Sequence, residues 1–319
     1  MSTSTATSGT AAKRGGSSAG GASSTHPRRG RRFLNRHAWW PYALPGVGLV
    51  VVFFLVPFLL NLRFSFTNWS SFTDVITWNG LRNFETLIDQ NIFWPSVQVT
   101  LIYAVTAMVV QNVVSLPLAY ALRDTNGINS FFRSLFFLPV LIAPVAAGYI
   151  FSALLSPAGP LNAAVAAAIP GFDFAWLGET STAIFIVAAV DAWKWSGVIT
   201  LVYIAGLNAI PQSFIEAARI DGANRLRVFR SIELPLLAPA VTFNVVVTLL
   251  GAISAFDIVV SATGGGPGNS TTVLNLAMFR QWGAGFFGTA SALSLTVAVL
   301  VIVIALPLVS FLRKREVEM

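Results

Sequence analysis

Ile210-Pro211-Gln212-Ser213-Phe214-Ile215-Glu216-Ala217-Ala218-Arg219-Ile220-Asp221-Gly222-Ala223-Asn224-Arg225-Leu226-Arg227-Val228-Phe229-Arg230-Ser231-Ile232-Glu233-Leu234-Pro235 joins two long apolar runs. Pro211 and Ser213 offer a helix start, and Glu216-Ala217-Ala218 continues it as a short, favourable turn. Gly222, directly after Asp221, ends that turn or lets the chain reverse. From Arg225 to Glu233 a second short helix is expected. Leu226, Phe229 and Ile232 are apolar at three-residue spacing, and polar residues fill the other face apart from Val228. Pro235 is expected to stop that element. Two short helices with a bend make a compact knob, and its alanines leave a smooth surface suited to another protein's groove. The helical pattern alone fits an amphipathic linker lying on a membrane surface equally well.

The runs on either side decide the class. Of 319 residues, 55% are hydrophobic and 10% charged, and the mean hydropathy is +0.71. A soluble domain carries about 25% charged residues. Six stretches are long and apolar enough to span a bilayer: about 42–62, 96–122, 131–155, 182–206, 236–258 and 288–312. Continuous apolar runs fit helices, whereas a barrel would show short alternating segments. The fold class is therefore an all-α membrane protein with six transmembrane helices, multi-pass in the cell membrane. Pro57, Pro117, Pro144 and Pro307 are expected to kink their helices. Trp39, Trp40 and Tyr42 suit an interfacial aromatic belt. The membrane part covers 39–312, with the 207–235 segment between helices four and five.

Basic residues set the orientation. Six crossings place both termini on one side, together with sixteen of the twenty Lys and Arg residues. Only Arg63, Arg82 and Arg280 fall on the other side, and Lys194 lies inside a helix. The positive-inside rule makes the richer side cytoplasmic, for both termini and for 207–235. Residues 1–38 are low-complexity Ser, Thr, Gly and Ala with seven basic residues, a disordered cytoplasmic tail; 313–319 form a second tail. The net charge of +7 thus reports orientation, and no nucleic-acid partner is expected.

Several chemistries are excluded. There is no cysteine, and both histidines, His26 and His37, lie in the N-terminal tail. Thiolate or imidazole catalysis within the membrane has no residues to use, no metal site is expected, and no catalytic residue is assigned. An intramembrane enzyme would need a positioned base or nucleophile; Asp191 and Asp257 are the acids near or within the helices, and no paired-aspartate signature accompanies them. No Gly-X4-Gly-Lys-Ser/Thr loop exists, so any ATP would be handled by another chain. The Gly264–Gly268 cluster lacks the lysine of such a loop and reads as an external turn.

The spacing in the 210–235 stretch is more specific than its helicity. Glu-Ala-Ala, three residues, Gly, nine residues, then Ile-X-Leu-Pro resembles the coupling motif of ABC importer permeases. Glu216, Ala217, Ala218, Gly222, Ile232, Leu234 and Pro235 are the anchors. Asp191-Ala192-Trp193-Lys194-Trp195-Ser196-Gly197, Tyr203-Ile204-Ala205-Gly206-Leu207 and Phe256-Asp257 followed by Thr263–Thr272 resemble the sugar-importer branch. Ser65-Phe66-Thr67-Asn68-Trp69 resembles the maltose-F-like half of a two-permease pair. The resemblance runs over about 40–312 and implies the type I ABC importer permease fold. It also implies partners: a second, paralogous permease, a cytoplasmic ABC ATPase dimer and an external or periplasmic solute-binding protein. The chain itself would bind no cofactor, with ATP and Mg used by the ATPase. Glu216, Ala217, Ala218, Asp221, Gly222, Phe229, Ile232, Leu234 and Pro235 would couple to the ATPase, and Gly265, Gly266 and Pro267 would touch the binding protein. An ion-gradient-driven secondary transporter is the alternative, although no inverted repeat is evident between the first and last three helices.

Asp191 and Lys194 lie deep in the fourth run, where a charge costs about 2.5–3.5 kcal/mol. At i, i+3 they could pair with each other as a structural feature. The alternative is that Asp191 accepts hydrogen bonds from sugar hydroxyls while Trp195 offers a stacking face. Motif by motif, the resemblance carries a substrate path onto Asp191, Trp195, Val198, Gly251, Ala252 and Ala255. Small apolar residues in the fifth run depart from the maltose pattern, so a passing cavity without tight binding fits as well as a defined site.

Overall fold

The structure is a computed structural model that describes residues 40–314. The tail read over 1–38, Trp39 and residues 315–319 lie outside the described residues. Residues up to Leu55 and residues from Val56 onward form two compact units. The first holds α1 (Trp40–Val50), which passes into a π turn at Val51–Leu55. Pro57 stands two residues after that turn and has no N–H for the helical ladder, which accounts for the wider winding before it.

Among the described residues, the regular structure of the second unit is helical apart from a single bridge between Thr67 and Trp78. It begins with α2 (Val56–Phe64) and α3 (Arg82–Asp89), followed by α4 (Phe93–Leu122). Next come α5 (Gly127–Phe137), a 3-10 turn at Leu138–Leu141, α6 (Pro144–Leu154) and α7 (Pro160–Ala168). The long α8 (Ala183–Asn208) leads to α9 (Gln212–Ile220), α10 (Arg225–Val228), a π turn at Phe229–Glu233 and α11 (Leu234–Leu236). The remainder is α12 (Ala238–Ile253), α13 (Asp257–Ala262), α14 (Leu274–Gly283) and α15 (Phe287–Arg313). The segment between the first two long apolar runs thus contains α3.

Among the described residues, four helices are long and apolar enough to cross a membrane unbroken: Tyr42–Phe64, α4, α8 and α15. Pro117 and Pro307 are accommodated inside α4 and α15 without ending them. The other two expected spans are broken. Gly127–Leu141 and Pro144–Leu154 meet at 96°, and Arg225–Leu236 and Ala238–Ile253 at 67°. Pro144 therefore does more than kink its run: it starts a new helix after an extended Ala143. The run expected over 236–258 stops at Ile253, and Asp257 opens α13 rather than closing the helix before it.

A broken helix frees carbonyl groups that lipid cannot satisfy. Side chains from neighbouring helices supply donors here. Lys194 Nζ donates to Val140 O at 3.4 Å in the turn before Pro144. Asn275 Nδ2 donates to Ala255 O at 3.4 Å between α12 and α13. Arg133 donates to Leu122 O at the end of α4, at 2.8 Å from Nε and 2.5 Å from Nη2.

The core forms where α4 lies along α8 with α12 across them. Tyr103, Ala104 and Ala107 of α4 meet Ile184, Val187 and Ala188 of α8, and Leu249, Ala252 and Ile253 of α12. Buried polar contacts fix the register. Ser115 Oγ donates to Ser196 O at 2.9 Å, Tyr203 Oη to Asn112 Oδ1 at 2.5 Å, and Asn112 Nδ2 to Thr248 Oγ1 at 3.1 Å. At the start of α15, Gly288, Ala290, Ser291 and Ala292 are all buried, the close packing that small residues permit.

Gly197 marks the tightest approach. A Cβ there would stand 2.3 Å from Phe136 O and 2.9 Å from Phe137 Cα, whereas a Cβ on Gly251 meets nothing within 4 Å. Gly197→Val should therefore lose about 1–3 kcal/mol by pushing α8 away from α5. Thermal unfolding of the detergent-purified protein should show a clear drop for Gly197→Val and none for Gly251→Val.

Candidate functional site

Two places stand out, one inside the helices and one on an exposed end. The first is a cavity of about 350 Å³ where α12 stops and α6 begins. Asp191, Trp195 and Val198 recur at helical spacing on one face of α8, and all line it. Gly251 and Ala252 come from the last turn of α12, and Ala255 from the break after it. All six residues expected along a substrate path are thus brought together. Phe256 and Asp257, noted in the sequence for other reasons, complete the lining together with Gln111 of α4, Thr248 and Ser254, which were not singled out from the sequence. The burial rule applied to Asp191 also points at Gln111, a primary amide in the middle of an apolar run.

The cavity combines two carboxylates, an amide and hydroxyls with the rings of Trp195 and Phe256. Such a lining can exchange hydrogen bonds with a hydroxyl-rich solute and cover its apolar faces. Asp191 and Lys194 do not pair directly, against one of the two expectations. Lys194 is 1% exposed; it turns toward Val140 O and stands 4.0 Å over the Trp195 ring. Its i, i+3 spacing put it near Asp191, but the freed carbonyl before Pro144 claims its ammonium. Asp191 keeps its place on the cavity wall beside the fully buried Tyr103.

The second place is the knob. Its first helix, α9, buries Ile215 and leaves Glu216 and Ala217 exposed. Phe214 and Ile220 are exposed as well, Ile220 by 86%. Asp221 caps the helix and Gly222 follows at φ +81°. The Gly222 N–H donates to Arg219 O at 3.1 Å and the Ala223 N–H to Ala218 O at 2.9 Å, the paired bonds of a Schellman turn. Asn224 then caps α10, its side chain accepting from the Arg227 N–H at 2.9 Å.

Two expectations for the second half of the knob change. Leu226 is exposed and Val228 buried, whereas Leu226, Phe229 and Ile232 had been grouped as the apolar face. The reason is the π turn over Phe229–Glu233, whose wider winding breaks a fixed helical period. Pro235 does not stop the element. It sits in the first turn of α11, and the bend falls at Leu237. Phe229 and Ile232 are half-buried, and Leu234 and Pro235 remain exposed.

Gly265, Gly266 and Pro267 form a separate loop after α13. Arg280 of α14 pins it, donating from Nη2 to Gly264 O at 2.6 Å and from Nη1 to Asn269 Oδ1 at 2.8 Å. Thr271 Oγ1 donates to Gly266 O at 2.8 Å. The loop is therefore braced rather than an unsupported glycine run.

Residues 114–314, which include the cavity's α8 and α12 walls and the whole knob, match the family described as the inner membrane component of binding-protein-dependent transport systems. The chain belongs to that family. A probable permease for starch degradation products, AmyD of Thermoanaerobacterium thermosulfurigenes, is 32% identical over 293 residues, covering 92% of this chain and 99% of that protein. The multiple sugar-binding permease MsmF of Streptococcus mutans is 29% identical over 290 residues, covering 90% of this chain and 99% of that protein. Among solved structures, a bacterial ABC transporter involved in importing the acidic polysaccharide alginate has a similar chain. Its TM-score is 0.73 at 22% identity, covering 88% of this chain and 96% of that one. The fold is accordingly that of an ABC importer permease, with four to six spans depending on how the two bent pairs are counted.

Gly222 sits in a backbone region that costs an L-residue about 1–2 kcal/mol. Gly222→Ala should strain or open the Schellman turn. Faster hydrogen exchange at the Gly222 and Ala223 amides, with unchanged protection along α8, is the expected signature.

Proposed function

We propose that this chain is one of two permease subunits lining the pore of an ABC importer for sugars or closely related solutes. In this reading it crosses the cell membrane six times with both termini cytoplasmic, each bent pair counting as one crossing. An ABC ATPase dimer docks from the cytoplasm on the knob at 207–235, and a second, paralogous permease completes the pore. An external solute-binding protein delivers its cargo against the loop at Gly265, Gly266 and Pro267. ATP and Mg act in the partner ATPase.

The exposed knob carries this reading. A helix that leaves Phe214, Glu216, Ala217 and Ile220 uncovered, next to a rigid Schellman turn, presents the mixed apolar and acidic surface of a docking element. Glu216, Ala217, Ala218, Asp221 and Gly222 form the docking tip; Phe229, Ile232, Leu234 and Pro235 tie it to the helices behind. ATP-driven closure of the partner would favour one arrangement of those helices through differential contacts at the tip.

The solute class draws on two supports. The relatives are named for starch degradation products and for multiple sugars. The cavity joins Asp191, Gln111 and Thr248 with Trp195 and Phe256, a lining suited to hydroxyl groups and to the flat faces of a sugar ring. Asp191 would accept from hydroxyls and Trp195 would stack. Gly251, Ala252, Ala255 and Val198 would keep the passage wide.

Three experiments test the reading. The double variant Glu216→Lys, Gly222→Arg should insert normally and abolish uptake. Uptake by the parent should survive a proton uncoupler and vanish on ATP depletion; the reverse would favour an ion-gradient-driven carrier. Gly251→Trp should fill the cavity and lower uptake of labelled oligosaccharides at least tenfold while the complex still hydrolyses ATP. Unchanged uptake would move the solute path away from α12.

A further inference from the structure

The one direct ion pair among the described residues joins Arg123, which caps α4, to Glu233 on the π turn of the knob. Glu233 is 1% exposed, and only its Oε1 has a partner; Oε2 is buried without one. The Arg123 guanidinium also lies 4.5 Å over the Tyr120 ring, and Tyr120 meets Phe229 edge-on with centroids 4.9 Å apart. Two residues of the knob, Phe229 and Glu233, are thus held by one turn of α4. Arg133 also holds that turn, donating to Leu122 O.

The position of this pair is informative. Glu233 lies one turn before the 67° bend, and its carbonyl accepts the Leu237 N–H at 2.8 Å. Leu237 is buried against Ala119, Leu122, Tyr203 and Leu207, the adjoining ends of α4 and α8. The tip itself is lightly held: α9 buries Ile215, and α10 buries Val228. A charged residue under an otherwise apolar bend is costly unless it is paired, and a carboxylate here gives the bend a fixed partner on α4.

We infer that Arg123 and Glu233 are positioning residues that join the knob to α4, so that a displacement imposed on the knob moves α4 and the start of α12 as one body. The pair sits inside the chain, away from the docking tip, and acts after docking. This inference rests on the docking role proposed above. Without the pair the bend becomes a swivel: the tip still engages its partner, but the helices no longer follow it.

The chain lacks cysteine, so introduced cysteines report positions without background from this chain, and any cysteines of the partner subunits would be replaced. The full complex, purified with its ATPase, would carry spin labels at Leu226→Cys and Val114→Cys, both exposed sites, on the knob and on α4. With ATP and vanadate as the probe, the parent should keep one narrow distance in both states. Glu233→Gln, which removes the buried charge with little change of shape, should at least double the width of that distribution or split it when ATP is added. Arg123→Met combined with Glu233→Leu, an apolar replacement that leaves no lone charge buried, should do the same. Arg123→Lys, which keeps the charge, should hold the narrow distance. An ATP-invariant narrow distance in both Glu233→Gln and the apolar double variant would overturn the joint. A second label pair, Leu226→Cys with Glu85→Cys on α3, separates this from failure of the docking role. No ATP-driven change in that distance in the parent would remove docking and the joint together, whereas a change there with an unaffected knob-to-α4 distance in the variants would remove the joint alone.

Discussion

An apolar solvent offers no partner to a backbone amide, and this constraint organises the whole chain. It makes every apolar run a helix. It also means that a helix can break only where protein atoms take over the freed groups. Three such places carry side chains aimed at backbone: Lys194 at Val140 O, Asn275 at Ala255 O, and Arg133 at Leu122 O. The first two flank the cavity, and the third caps the helix end that meets the knob. Breaks supply what an unbroken helix lacks. They open space, as at Ala255, and they let the chain change direction between the knob and α12, as at Leu237.

The same constraint explains how one chain can be rigid and movable at once. Along α4 and α8 the packing is close, with Gly197 admitting the Phe136 backbone and Ser115 bonded to Ser196 O. Interiors of that density do not deform gradually; they shift as blocks. The bends at Ala143 and Leu237 are where blocks can be divided. A permease that exposes a solute first on one side and then on the other needs such divisions, and it needs a connection that carries force across them.

Much of this was legible in the sequence, for reasons that can be named. The run lengths located α4, α8 and α15 to within a few residues, because about 20 apolar residues have no other stable form in lipid. The residues expected along a substrate path came together because Asp191, Trp195 and Val198 obey helical spacing on α8, while Gly251 and Ala252 end α12 and Ala255 lies in the break after it. What escaped depends on contacts distant in sequence. Hydropathy cannot see that Pro144 begins a helix set at 96° to the one before it. It cannot see that Lys194 prefers a carbonyl 54 positions away to the acid one turn back. A three-residue period placed Leu226 inside, while the π turn starting at Phe229 hands that position to Val228. Glu233 read as one more polar residue of a surface helix, because its partner on α4 lies 110 positions earlier.

That last case bears on how a short motif should be understood. Glu216 and Gly222 are recognisable because their work is local: one needs exposure and the other a left-handed turn, and both are visible in a few consecutive residues. In the proposed docking role, an effect on a pore several helices away cannot be local. It has to pass through the element that connects the tip to the spans, and in this chain that element is a wide π turn, one buried carboxylate and a bend. A π turn accommodates an inserted residue at the cost of weaker ladder bonds, so it is a compliant link unless something stiffens it. A buried ion pair is a poor source of stability, since desolvation offsets much of the attraction, but it is directional and does not slide as apolar contacts do. Placed at the compliant turn, it contributes little to holding the protein folded and much to deciding which helices follow the tip.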